Sequence, residues 1–482
     1  MKSNFGVILI TFTMVFLVLA IYSQLDIGLA DNGDFTRIMT WFSSGPVGIE
    51  PNWQSPSDLL RRSRFFSFYL PYWKLDFPFE SQTYSSILLL WLPGLIINYL
   101  FYSQTVLYIP ILSIFPRVLI IVLMLTIFRW IDRSELDQKG QWLLYIAIAL
   151  PMTLLLTTTD YLAYLNSLYQ DTAGLVFSIC VLIAIGLLIR RRSWWIYFLI
   201  MLMAFFMATA KASTFYWPFL AVIGITLITL SPITRKSLFS LALLLIAAVV
   251  IAITGLSATR RGYNPKANEY QSLFAGVLAL SSKPHQHLAQ IGMPEATNCV
   301  GVNLYLKERC VKILDKYPEA ITFTNVAKVI IREPLIFPRM VKFLADRMQD
   351  ISIDLGKYSE GSGENRGQVS MLNLWSVMKQ RFFPKGIYLL GILSFYLALF
   401  SINQKGQRIR REMAVIGLIA TLACLLDMWV AFLGEGQADL IKHLLLSNFM
   451  FDIATVMALG LITLSIYQRI QNSSRVSGIN PL

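Results

Sequence analysis

The sequence predicts an all-α polytopic membrane protein of about ten transmembrane helices. Composition is the first reason. Hydrophobic residues make up 56% of the 482-residue chain and charged residues only 14%, whereas soluble domains carry about 25% charged residues; the mean hydropathy is +0.58. The second reason is the recurrence of apolar runs near the ~20 residues needed to cross a bilayer. They lie near 5–25, 107–129, 141–158, 172–190, 194–211, 214–231, 237–256, 386–402, 413–432 and 446–468. The third is the placement of Lys and Arg in alternate loops.

Lys2, Arg190-Arg191-Arg192, Arg235-Lys236, Lys405 with Arg408, Arg410 and Arg411, and Arg469 all fall on one side if each of the ten runs spans. Short loops rich in Lys and Arg stay cytoplasmic, so both termini are expected inside. The apolar stretch 84–101 contains Pro93, Gly94 and Asn98. Counting it as a span would move two basic clusters outside, so it is read as an interfacial or re-entrant helix on the outer face. The first run is read as a retained anchor. Gly28-Leu29-Ala30 resembles a cleavage site, but the apolar core exceeds the ~7–15 residues of a signal peptide.

Three modules follow. Residues 1–256 form a transmembrane module with a first outer loop at 26–106, 257–385 form an extracytoplasmic segment, and 386–482 carry the C-terminal transmembrane helices. Within the middle segment, 313–350 has helical spacing with Pro334 and Pro338 as breaks. Ser359 to Gly367 reads as a flexible Gly/Ser-rich loop. Cys180 and Cys424 fall within spans and are expected to be packing residues. Cys299 and Cys310 fall in the outer segment, where an oxidising compartment permits a disulfide.

The net charge of +13 points to anionic partners. Much of it lies in cytoplasmic loops, where orientation explains it, so nucleic acid is not expected as a partner. Basic residues on the outer side are Arg37, the cluster Arg61, Arg62 and Arg64, Lys211 at a span end, and Lys442 beside His443. Such groups suit phosphate, including the head groups of bulk membrane lipid.

Acidic residues gather on the same side. Ala30-Asp31-Asn32-Gly33-Asp34-Phe35 follows the first span directly. Ionisable groups near hydrocarbon are costly and tend to be functional, although Asn-Gly is also a plain turn signal. Asp160 to Asp171 joins two spans, and on a helix Asp160 and Tyr164 share a face. That segment, with Asn166, suits a sugar-binding surface or an aromatic interfacial belt. Glu435, Asp439, Lys442 and His443 open the last outer turn, the last three at i, i+3 and i+4 spacing.

Taken together, Ala-Asp-Asn-Gly-Asp-Phe at 30–35, Tyr-Leu-Asn-Ser-Leu-Tyr-Gln-Asp at 164–171, Ala-Lys at 210–211, Leu-Trp-Ser at 374–376 and Gly-Gln-Ala-Asp-Leu-Ile-Lys-His at 436–443 resemble the GT-C class of integral membrane glycosyltransferases. Within it the chain is most similar to hexosyltransferases of bacterial S-layer and cell-surface glycan assembly. At position 171 such enzymes often carry Glu, where this chain has the shorter Asp.

The resemblance implies a GT-C-like first outer loop and a bacterial inner or plasma membrane location with the site on the extracytoplasmic face. It implies a polyprenyl-phosphate-linked sugar as donor, and a glycan, lipid or protein as acceptor. No cofactor is required by it, and a divalent metal between carboxylates and phosphate stays open. On these grounds Asp34 is the expected catalytic base, with Asp31 the alternative. Lys211, Lys442, His443 and Arg61, Arg62 and Arg64 are expected to hold phosphate, and Arg37 and Glu435 to line the same substrate site. Asp160, Tyr164, Asn166 and Asp171 are expected to shape the sugar pocket. A polytopic transporter or lipid flippase is the competing class. Transporters keep ionisable groups near the midplane, often within repeats; here they gather at one face and no repeat is evident.

Overall fold

A computed structural model describes residues 4–48, 68–81, 83–229, 235–260, 265–304, 307–348, 350–353, 355–359, 373–383, 388–402 and 408–476. The chain is a helical bundle. Among the described residues seven helices are long and apolar enough to cross a membrane: Ile109–Asp132, Gln138–Thr157, Asp171–Arg190, Ala212–Thr229, Leu238–Thr259, Arg408–Glu435 and Leu445–Ser473. All seven coincide with expected spans. The other three expected spans, near 5–25, 194–211 and 386–402, correspond to shorter apolar helices at Ile10–Tyr22, Trp194–Ala208 and Tyr388–Phe400. A 15-residue helix such as Trp194–Ala208 is about 22 Å long at 1.5 Å per residue. That is short of the ~30 Å hydrocarbon layer, so turns and caps must complete such a crossing.

Sequence chemistry shapes these helices locally. In the Gln138–Thr157 helix the backbone widens into a π-helical turn at Tyr145–Ala149, just before Pro151. Proline lacks the N–H that would close an ordinary turn, and the widened turn absorbs the missing bond. The Leu238–Thr259 helix exposes Phe239, Ile246, Val250 and Ile253 and so forms an edge of the bundle. Its Gly255 lies so close to the Ala208 carbonyl that an added Cβ would fall 2.3 Å from that oxygen; small residues allow such close backbone crossings.

The bundle has two chemically distinct ends. At one, Arg190 pairs with buried Glu412 at 2.8 Å, Arg192 and Arg411 donate to the Ile228 carbonyl, and Tyr467 donates to Asp137. At the other, buried Arg117 donates to Ser113 Oγ and to the carbonyls of Ile21 and Gln24, and Gln24 donates to the Thr157 carbonyl. These contacts join the end of the Ile10–Tyr22 helix, the start of the Ile109–Asp132 helix and the end of the Gln138–Thr157 helix.

The 84–101 stretch stays at this second end. Its helix, Ile87–Ile97, begins where Ser85 and Ser86 donate to the carbonyls of Ala210 and Phe206. It runs on through a π-helical turn, Asn98–Tyr102, and the Asn98 side chain bonds to Ser103, Val106 and Tyr108. Val106–Tyr108 pairs antiparallel with Tyr72–Lys74 in a two-stranded sheet and leads directly into Ile109. Both ends of this helix therefore lie at one end of the bundle.

The described residues between 265 and 383 cover the same end with short helices. Ser272 donates to the Leu433 carbonyl, and Phe337 stacks on Trp429 at 4.7 Å. Cys299 and Cys310 are joined, with Cα atoms 5.7 Å apart. Pro338 sits in the first turn of the Ile336–Arg347 helix and so starts that helix rather than breaking it. Of the expected loop at 359–367, all but residue 359 lies outside the described residues.

Candidate functional site

The loop after the first helix is fixed on both sides. Ala30 N donates to the Gly356 carbonyl at 2.7 Å and Gly28 N to that of Lys357 at 3.1 Å. From the other side Leu29 N donates to Ser167 Oγ at 2.8 Å, and Tyr169 OH donates to the Ala30 carbonyl at 2.7 Å. Asn166 donates to the carbonyls of Gln24, Leu25 and Ile27.

On this base the two carboxylates of the Asp-Asn-Gly-Asp segment take different tasks. Asp31 is buried. Its carboxylate accepts from Gly33 N, Phe35 N and Thr36 Oγ1, which ties the start of the Asp34–Met39 helix as aspartates do in turns. Burial pushes the Asp31 carboxyl up to a pKa of about 7, against the opposing pull of those donors. Gly33 makes the turn with φ of 101°, which glycine adopts without steric cost. Asp34, one residue on, faces Arg37 at 3.0 Å and bonds to Lys442. Burial works against ionisation there, but Lys442, Arg37 and Lys211 outweigh it and hold Asp34 well below the usual carboxylate range.

Lys442 has its side chain only 2% exposed and lies 5.3 Å over the Tyr169 ring. Lys211 pairs with Asp171 at 3.1 Å, so its charge is held at the site by a carboxylate in the first turn of the Asp171–Arg190 helix, where negative charge is favoured. Glu435 lies in the field of Asp34, Lys211, Lys442 and Arg37. Half-buried His443 is pushed well below the usual histidine range, first by burial and then by Lys211 and Lys442, and is therefore neutral near pH 7. Asn32 bridges to Asp439 at 3.3 Å. Asp439 adopts φ of 44°, a region uncommon outside glycine and enriched at functional sites.

A cavity of about 370 Å³ opens beside this cluster, lined by Asn32, Phe343, Arg347, Ile353, Leu355, Gln437, Asp439, Leu440, Ile441 and Lys442. It therefore combines a charged wall with an apolar one. Among the described residues no three His, Cys, Asp or Glu side chains converge as a metal set would.

The structure thus gathers Asp31, Asp34, Arg37, Asp171, Lys211, Glu435, Asp439, Lys442 and His443 at one end of the bundle. Of the expected pocket residues, Asp160 and Asn166 have partners in the surrounding structure. Asp160 pairs with Lys357 at 2.5 Å and accepts from Ser376 at 2.7 Å, all three being buried. Asn166 braces the loop ahead of Asp31. Tyr164 is buried without a partner for its hydroxyl among the described residues. Arg61, Arg62 and Arg64 lie outside the described residues. Asp427, within the Arg408–Glu435 helix, accepts from Ser447 of the next long helix at 2.9 Å.

Sequence reasoning missed Asn32, Tyr169, Lys357 and the cavity residues of 343–355. Asn32 and Tyr169 stand inside quoted motifs. Lys357 sits in an aperiodic loop and gave no signal. It also missed a buried network in which Lys379 pairs with Asp452 at 2.8 Å and Tyr161 donates to that same carboxylate.

A family model, the YfdI N-terminal transmembrane domain, matches residues 2–477. No curated protein and no solved structure matches the chain.

Proposed function

We propose, from the premise that the chain belongs to the YfdI N-terminal transmembrane domain family, that it is a membrane glycosyltransferase of the GT-C class. In this reading it moves a hexose from a polyprenyl-phosphate donor to a glycan, lipid or protein acceptor, and the reaction takes place on the outer face. The observation that carries the reading is Asp34. Its carboxylate is held between Arg37 and Lys442, and Lys442 in turn lines the cavity.

The chemistry follows from that arrangement. The acceptor oxygen attacks the anomeric carbon while its proton passes to Asp34. The bond from that carbon to the donor phosphate oxygen breaks in the same displacement, so the configuration inverts. Negative charge grows on the departing phosphate, where Lys442, Lys211 and Arg37 stabilise it. The cations that suit phosphate are also the ones that act on Asp34. An arriving phosphate draws them away and returns Asp34 toward ordinary carboxylate basicity, so the base is released as the donor binds. Neutral His443 serves as a hydrogen-bond partner for phosphate or sugar. Asp160, Asn166 and Asp31 act as positioning residues beneath the site.

The test is a transfer assay in membranes or proteoliposomes with a panel of polyprenyl-phosphate sugars. A new glycosidic product supports the enzyme. Movement of lipid or solute across the bilayer with no new bond would replace it with the transporter reading.

A further inference from the structure

A second cavity, about 500 Å³, lies away from the carboxylate cluster. Its mouth is lined by Arg129, Arg133, Arg190 and Arg191, and Ile179, Met152, Ile453 and Met457 line its interior. Asp171 at the first site and Arg190 at this mouth begin and end one 20-residue helix, so the two sites stand about 30 Å apart. The mouth is at the arginine-rich end of the bundle, which the loop charges assign to the cytoplasm.

We propose that this cleft binds one anionic phospholipid of the cytoplasmic leaflet, with an acyl chain in the apolar interior and its phosphate on the arginines. Charge complementarity is the first argument. Arg190 is held by Glu412 at 2.8 and 3.0 Å, which leaves the exposed guanidinium groups of Arg129, Arg133 and Arg191 facing the mouth. Basic pockets between helices on this side of a membrane suit anionic head groups. Depth is the second argument. From Arg190 to Ile179 the helix descends about 16 Å, half of the ~30 Å hydrocarbon layer. The cleft therefore matches the chain of a one-leaflet lipid and ends before a longer polyprenyl tail could be seated. The third is the rim. Trp194 and Trp195 stack at 3.6 Å and are 63% and 60% exposed, next to Arg191 and the cavity residue Ile196, at the level where tryptophan anchors to head groups. The inference stands apart from the transfer reaction and survives if that reading fails.

Native mass spectrometry of the full chain, delipidated in mild detergent and titrated with dioleoylphosphatidylglycerol or dioleoylphosphatidylcholine, tests it. The expected result is a single phosphatidylglycerol adduct that forms at lower lipid concentration than the phosphatidylcholine adduct. The triple variant R129Q/R133Q/R191Q, which leaves the Arg190–Glu412 pair intact, should lose roughly fivefold per arginine, on the order of a hundredfold in all. Ile183→Trp, which fills the cleft, should weaken both adducts. Equal binding of the two lipids by the unaltered chain would overturn the proposal, as would unchanged phosphatidylglycerol binding in the triple variant. Displacement of phosphatidylglycerol by an equimolar polyprenyl phosphate would also overturn it and give the cleft to that lipid instead. Should the triple variant fail to fold, the comparison of lipids on the unaltered chain and the Ile183→Trp variant decide the matter.

Discussion

Asp160→Asn is expected to damage the fold more than the chemistry. The side chains of Asp160 and Lys357 are 1% and 2% exposed and 2.5 Å apart, so solvent screens their attraction little. Ser376 donates to the second carboxylate oxygen, and Lys357 also donates to Ser352 Oγ at 2.8 Å. Removing the negative charge leaves a buried ammonium with only neutral partners. Breaking such a pair typically costs about 3–5 kcal/mol, a large share of the roughly 5–15 kcal/mol that holds a typical domain folded. The double variant Asp160→Asn with Lys357→Met removes both charges and should recover most of the loss, since apolar replacement of a buried pair is often close to neutral. Equilibrium unfolding of the three proteins in mixed detergent micelles measures this, and transfer activity per folded molecule is recorded beside it. Stability of Asp160→Asn within about 0.5 kcal/mol of the parent, together with abolished transfer, would refute the structural role and return Asp160 to the sugar pocket.

Burial raises Asp31 from 3.8 to about 7 in the folded state. Its protonated form therefore favours folding, a contribution fully present below about pH 4 and lost as pH rises through 7. Asp31→Asn should gain stability relative to the parent between those limits in a thermal scan across pH; parallel curves would contradict the assignment. Lys442→Met removes a buried cation from Asp34 and from the proposed phosphate site. Donor KM should rise about 10- to 100-fold, as expected for losing a charged hydrogen bond. The acid limb of kcat/KM should move to higher pH, because Asp34 loses the partner that keeps it ionised; an unmoved limb would show that Asp34 is not the titrating base. Gly436 has φ of 59°, and an added Cβ would fall 2.3 Å from the Gln271 carbonyl oxygen. Gly436→Ala should therefore destabilise the protein by more than about 1 kcal/mol in the same unfolding assay.

The bundle was legible in the sequence because hydrophobic length is a direct signal. The seven long helices follow from run length, and the shortness of the helix at 87–97 from Pro93, Gly94 and Asn98. The pairing of Asp171 with Lys211 was within reach: helices Asp171–Arg190 and Trp194–Ala208 are joined by a short turn, so the start of one and the end of the next share a side. Other contacts had no local signal. Asp34 and Lys442 stand at opposite ends of the chain, and only the packing of the last two long helices beside the first loop brings them together. Lys357 lies in an irregular stretch, where neither helical nor strand periodicity indicates what a side chain will meet. Asp160 and Asn166 were recognised as unusual polar residues at a span end, but sequence does not distinguish a polar residue that braces a loop from one that faces a ligand.

If Asp34 takes the acceptor proton, Asp34→Asn removes the base and little else. The substitution keeps the shape and an acceptor for Lys442 while removing the basic carboxylate. The decisive measurement is single-turnover sugar transfer from a polyprenyl-phosphate donor at saturating donor, with donor binding measured separately on the same preparation. The expected result is a fall of about 100- to 10,000-fold in the rate, the usual scale of general-base catalysis, in a protein that still binds donor. Near-normal transfer by Asp34→Asn would contradict it, and loss of transfer in a folded, donor-binding Asp31→Asn protein in its place would move the base to the other carboxylate of the loop.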